Sequence, residues 1–316
     1  MISVALIMLR VFMSILYLSW VIPCYSQNSI DSFRMSADVK ITIDHPLKKK
    51  SIKESILIIY ALPNGNTTEQ TMGKKIQNGD DWHFDIQHIR AQTEFIREKI
   101  HKNITIAYVE NSYRSWPLWK QKNDDYKIKI LRIVDTLSSF ISDGKTSIYL
   151  NGHSGGGSFI FGYLDAVDKI PKMIQRISFL DSDYGYDSIY YQKFRNWLQT
   201  NRSAVLTVFA YNDSVALYNG KPVVSQKGGT WYRSGLMLRQ LEQDFKFEKL
   251  KDDSLVIYAS KNKRIGFFLK TNPEQKIFHT QQVELNGFIH SILFGTKYES
   301  KGYQYFGPRA YGRFIN

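Results

Sequence analysis

The chain has 316 residues, 43% of them apolar, 22% charged and 14% aromatic, with a formal net charge of +13. These are ordinary proportions for a globular protein with a sizeable core, without low-complexity tracts or internal repeats. The single cysteine, Cys24, lies near the N-terminus, which excludes a disulfide framework and any cysteine-based zinc site.

A positive excess of this size favours anionic surfaces or substrates through long-range attraction. Lys48 to Lys50 and Lys261 to Arg264 fall at expected turns, however, and no arginine–aromatic pattern marks a nucleic-acid module. The basic residues therefore read as solvated surface, and nucleic acid is not expected as a partner.

Residues 1–26 have the pattern of an export signal. Arg10 is their only charge, Val11 to Pro23 is almost wholly apolar, and Cys24-Tyr25-Ser26 places small residues at −3 and −1 before Gln27. The expectation is cleavage and a secreted or periplasmic protein; the alternative is an N-terminal membrane anchor over residues 2–23. No later run is apolar enough to suggest a second span, so a cleaved chain would keep no stable membrane span.

Beyond the leader, short β-branched runs alternate with amphipathic ones. Strands are expected at Lys40–Asp44, Ser55–Ala61, Ile104–Val109, Ser147–Leu150, Ile177–Leu180, Val205–Ala210, Leu255–Ala259 and Ile265–Leu269. Apolar residues at helical spacing predict helices over Trp82–Ile100 and Ile128–Ile141. This alternation predicts an α/β fold: a central, mostly parallel sheet of about eight strands with helices on both faces. No linker divides residues 27–316, so one catalytic-size domain is expected. The long connection over residues 213–252, with helical character around Trp231–Phe245, is a candidate cap or lid.

The strongest local signal is Gly152-His153-Ser154-Gly155-Gly156. It directly follows the apolar run Ser147–Leu150 and precedes the helix-compatible Phe159, Ile160, Tyr163, Leu164 and Val167. A serine held at so sharp a strand-to-helix turn needs small residues two before and two after it, and Gly152 and Gly156 supply them. Gly155 would offer its N–H at the helix start, where a developing oxyanion is stabilised. The competing reading, a phosphate cradle, lacks the lysine that would follow the glycines.

This segment resembles the nucleophile elbow of the α/β-hydrolase superfamily, and the order of elements is similar over most of the chain. The resemblance implies a serine hydrolase that needs neither cofactor nor metal. Ser154 would be the nucleophile of a Ser-His-Asp triad, acting through an acyl-enzyme. It also implies a second oxyanion donor from the loop after an earlier strand. Here that loop is Leu62-Pro-Asn-Gly-Asn-Thr-Thr68, which points to the main-chain N–H of Asn66 or Gly65; Pro63 has none to give.

The superfamily order of serine, acid, histidine leaves two of the seven histidines as bases. His290 is favoured because it lies late and leads into an apolar segment, and His279 is the alternative. For the acid, Asp213 follows Val205–Ala210 in the usual strand-then-turn placement. Asp181, after Ile177–Leu180, is the alternative and resembles the placement in some lipases. His83, Asp85 and His88 lack metal-ligand spacing, and the aromatic tail from Tyr303 to Phe314 reads as packing. The implied substrate is a small-molecule or polymer-linked carboxylic ester, anionic if the charge excess bears on it. Peptidase or amidase action on the same triad, or an inactive binding protein of this fold, are the alternatives.

Overall fold

The computed structural model describes residues 30–47, 50–51, 54–140, 145–251 and 254–316. The expected signal segment, residues 1–26, lies outside the described residues.

All eight expected strands form, and their burial explains why they were legible. Strands β1 (Ile30–Ser36), β2 (Val39–Asp44), β3 (Glu54–Ala61), β4 (Asn103–Asn111), β5 (Lys145–His153), β6 (Ile174–Leu180) and β7 (Val205–Tyr211) are followed by β8 (Leu217–Tyr218) and β9 (Lys221–Pro222), then β10 (Phe247–Lys251), β11 (Leu255–Ser260) and β12 (Ile265–Lys270). β8 and β9 pair as a small hairpin, and the others form one sheet in the order β1-β2-β4-β3-β5-β6-β7-β12-β11-β10. Neighbours from β4 across to β12 are parallel, whereas β1, β2, β11 and β10 pair antiparallel at the two flanks.

The sheet thus has ten strands among the described residues rather than about eight, and it is mixed. The two unexpected strands, β1 and β10, are at its edges and are largely exposed. They carry polar and charged residues such as Arg34, Glu248 and Lys249, which suit an unpaired edge but leave no apolar run to read. Central β3, by contrast, is buried from Ile56 to Ala61, as a strand covered on both faces must be.

The helices are α1 (Thr68–Met72), α2 (Ile89–Lys99), α3 (Trp116–Lys122), α4 (Tyr126–Ser139), α5 (Gly157–Ala166), α6 (Tyr191–Thr200), α7 (Thr230–Leu241), α8 (Gln281–Glu284) and α9 (Gly287–Leu293). One apolar layer joins the sheet to α3 to α7 through Trp119, Ile133, Phe159, Trp197 and Met237. The other joins it to α2, α9 and the C-terminal aromatics through Phe95, Phe288, Ile292, Tyr305 and Tyr311.

The helix expected over Trp82–Ile100 is broken into a short 3-10 turn, Trp82–Asp85, and α2. His88 between them has φ 45°, and its Nε2 contacts Asp85 at 2.7 Å. Arg309, more than two hundred residues away, holds the same Asp85 at 2.6 Å. That anchor is tertiary and invisible to local periodicity. In the 213–252 segment the β8–β9 hairpin and the edge strand β10 stand exposed. Helix α7 packs against β7 and β12, burying Met237 and Leu241.

Because the central strands are parallel and in register, their carboxyl ends share one rim. Ala61 lies opposite Gly152, His153 opposite Leu180, and Leu180 opposite Phe209. The residues after β3, β5, β6 and β7 are therefore delivered to the same place, where ligands bind in sheets of this kind. If α7 is part of the core, Leu241→Ala should lower unfolding free energy by about 2–5 kcal/mol, as measured by urea denaturation. A change within about 0.5 kcal/mol would instead mark α7 as peripheral.

Candidate active site

Ser154 follows β5 directly and has φ 54°, a left-handed backbone rarely adopted by a residue other than glycine. The turn is tight enough that a Cβ on Gly152 would stand 2.9 Å from the carbonyl carbon of Gly156, and one on Gly156 would stand 2.2 Å from the Ala61 oxygen. Only glycine fits at either position. Ser154, Gly155 and Gly156 form a 3-10 turn that runs into α5, so the first N–H groups of the combined helix face the region of the serine.

In front of Ser154 lies a cavity of about 460 Å³, whose wall includes Asn64, Gly155, Ser158, Ser182 and Tyr184. Asn64 reaches it from the loop after β3, with its side-chain oxygen where a Cβ on Gly155 would be (1.9 Å). Of the expected oxyanion donors, one is occupied elsewhere. The Gly65 N–H is already committed to the Arg114 carbonyl at 2.8 Å, and neither Gly65 nor Asn66 lines the cavity. Asn66 is buried, and its Nδ2 has no partner among the described residues. The loop approaches Gly155 through its first asparagine.

The histidine favoured from chain order is elsewhere. His290 is inside α9 and buried in the apolar layer, edge-on to Phe268 with centroids 4.5 Å apart. Its Nδ1 is 3.0 Å from the Tyr303 hydroxyl, and its Nε2 has no partner among the described residues. Burial, with Arg176 and Lys263 adding, lowers its pKa to about 3. His290 meets no carboxylate among the described residues and packs inside the apolar layer, so its surroundings do not favour it as the base expected from chain order.

His279, in the loop between β12 and α8, is placed differently. Its Nδ1 lies 2.5 Å from Oδ2 of Asp181, which is fully buried directly after β6. Its ring packs on that of His153, the residue before Ser154, at 4.6 Å, and meets Tyr184 of the cavity wall edge-on. His153 Nε2 lies 3.2 Å from the His279 carbonyl and so donates to it, leaving His153 neutral, as its burial also requires. Neither His279 Nε2 nor Ser154 Oγ has a hydrogen-bond partner among the described residues.

Asp213 reaches the same rim but holds no histidine. It caps α7 from a distance, accepting the N–H of Thr230 at 2.8 Å and of Trp231 at 3.4 Å. This corrects its assignment as the carboxylate paired with a base. The Thr230 hydroxyl donates to Asp181 and is 3.3 Å from Asp213, so one side chain links the two acids. A third buried carboxyl, Asp183, accepts from Ser234 on α7. Burial, with Asp181 and Asp213 adding, raises its pKa well above the carboxylate range. Burial first, then the Asp181 charge, raises Asp213 to about 6. The positive end of α7 partly offsets the cost of so much acidity in one place. A serine at a strained turn facing a cavity, and an imidazole held by a buried carboxylate beside the His153 ring, are parts that nucleophilic acyl transfer uses.

No protein-family model matches the chain, and no curated protein matches it. Among the solved structures similar to it are two siderophore hydrolases. One is siderophore hydrolase EstB from Aspergillus nidulans, 12% identical, with 85% of this chain and 95% of that chain covered and a TM-score of 0.43. The other is siderophore hydrolase EstA from the same organism, 12% identical, with 71% and 81% covered and a TM-score of 0.38.

The raised Asp213 has a measurable consequence. Its carboxyl ionises near its ordinary 3.8 when unfolded but at about 6 when folded. The stability it contributes is therefore full below about pH 4 and lost as pH rises through 6, on the order of 3 kcal/mol in all. Thermal melts of the wild type and Asp213→Asn from pH 4 to 7 should diverge as pH rises, with the wild type losing stability relative to the variant. Parallel curves would show that Asp213 is not perturbed.

Proposed function

We propose that this protein is a serine hydrolase of the α/β-hydrolase type that cleaves a carboxylic ester through Ser154, His279 and Asp181. The observation that carries this reading is the contact of His279 Nδ1 with buried Asp181, set beside a serine at φ 54°. With Nδ1–H directed at the carboxylate, Nε2 presents its lone pair as a base. It takes the Ser154 proton as Oγ attacks the ester carbonyl, and Asp181 stabilises the resulting imidazolium.

The tetrahedral oxyanion is held by the Gly155 N–H at the start of the helical turn and by the Nδ2–H of Asn64, whose side-chain amide lies over Gly155. Collapse of the intermediate expels the alcohol, which receives the proton from His279. Water then releases the acyl group by the same sequence in reverse order of groups. Thr230 keeps Asp181 oriented by donating to the oxygen that His279 does not use. Export from the cell, proposed from the pattern of residues 1–26, would place the reaction outside the cytoplasm.

A fluorophosphonate probe should label the wild type and not Ser154→Ala. Turnover of a model ester should fall by about 10⁴-fold in His279→Ala and about as far in Asp181→Asn, within the range for triad members. His290→Gln should stay within about ten-fold of wild type in variants that melt normally. A loss in His290→Gln equal to that in His279→Ala would return the base to His290. Matched ester and amide substrates then separate this reading from a peptidase.

A further inference from the structure

Lys120 is the sole charged residue among those lining the cavity at Ser154. It lies near the end of α3 and enters the cavity wall beside Pro117, Phe161 and Tyr190. In a wall of hydroxyl and apolar groups this charge is paired with Asp165 only at the long end of an ion-pair distance. Asp165, on α5, is 3.4 Å from the ammonium, the longest of the three contacts it makes. It receives the Tyr190 hydroxyl at 2.7 Å and the Tyr126 hydroxyl at 2.9 Å. Those two tyrosines take the better positions on the carboxylate, and Asp165 itself stands behind the wall, not in it.

The ammonium is mostly buried, with 19% of its side chain exposed. The Tyr126 ring lies 4.7 Å from it on one side. Burial is the largest influence on its pKa and lowers it, with Asp165 opposing but not prevailing. A lysine short of counter-charge, with three donors of which one is used at long range, is a site for an acceptor from outside the protein.

We infer that the cavity takes an ester whose buried portion ends in a carboxylate, and that Lys120 selects it by binding that anion. This rests on the ester-hydrolase reading above and adds to it the class of substrate. Helix α5 gives the scale. Lys120 sits against Gly162, eight residues beyond Ser154. At about 1.5 Å per residue, the anion would lie on the order of 10 Å from the reacting carbonyl. That suits a medium-chain dicarboxylic monoester, with its chain along Ser158 and Phe161 and its carboxylate at Lys120. Tyr190 is held by Asp165 and closes this end of the cavity.

The test compares an octanoate ester with the monoester of octanedioate bearing the same alcohol. The ratio of kcat/KM for the anionic ester to that for the neutral one should fall about ten-fold or more in Lys120→Met, the scale of one charge-assisted hydrogen bond. Lys120→Arg should restore much of it. Lys120→Gln replaces the methionine variant if that one does not fold. A ratio unchanged from wild type overturns the inference.

Binding of free octanedioate to Ser154→Ala, read by calorimetry, separates this from failure of the parent reading. If the wild type cleaves neither ester, the hydrolase assignment fails. The anion site still stands if adding Lys120→Met weakens octanedioate binding about ten-fold, and it falls if binding is equal or absent.

Discussion

Everything at the rim is arranged around the backbone of Ser154, held in the left-handed region where β5 turns into α5. The chain reverses so abruptly there that Gly152 and Gly156 come into backbone contact, and Gly156 also meets the carbonyl of Ala61 on the neighbouring strand. Such a conformation costs on the order of 1–3 kcal/mol and persists only where the surroundings over-determine it. Here the surroundings are the register of β3 against β5 and the burial of α5 through Phe159 and Ile160. Strain at one residue is thus held by the largest cooperative unit in the molecule, the parallel centre of the sheet.

The same register explains why acidic groups crowd the site. Strands β6 and β7 end level with β5, so Asp181, Asp183 and Asp213 all emerge at the place where α7 begins. Three buried carboxyls cannot all ionise without help. The structure divides the load: Asp181 takes His279, Asp213 takes two N–H groups of α7, and Asp183 is raised in pKa beside Ser234. Thr230 joins the first two, so the helix that caps the sheet also orients the proposed triad acid.

Legibility of the site followed the range of the interactions that define it. Gly152-His-Ser-Gly-Gly156 was readable because its constraint is local: residues two apart on either side of a tight turn must be small. The choice between His279 and His290 was not, since both come late in the chain, after both candidate acids. A signal existed nonetheless, because Gly287-Phe-Ile-His-Ser-Ile-Leu-Phe294 is apolar on every side, and a helix of that kind is buried all round. By placement after its strand, Asp213 had the stronger claim and Asp181 was the alternative. What separates them is the entry of Thr230 and Trp231, which fill the Asp213 oxygens from nearly twenty residues away. The donor loop slipped in register for a similar reason, since the Gly65 N–H is taken by Arg114 from the far side of β4.

By itself the sequence determined the central strands, the alternation that places helices on both faces, and the serine at its turn, because these depend on periodicity and on steric limits within a few residues. Tertiary structure alone decided that the sheet runs to ten strands, since the added edges are polar and carry no apolar run. It also decided which histidine meets which carboxylate and where Lys120 stands. Those are contacts between residues up to about a hundred positions apart, and their selection depends on burial and competing hydrogen bonds that no local pattern encodes.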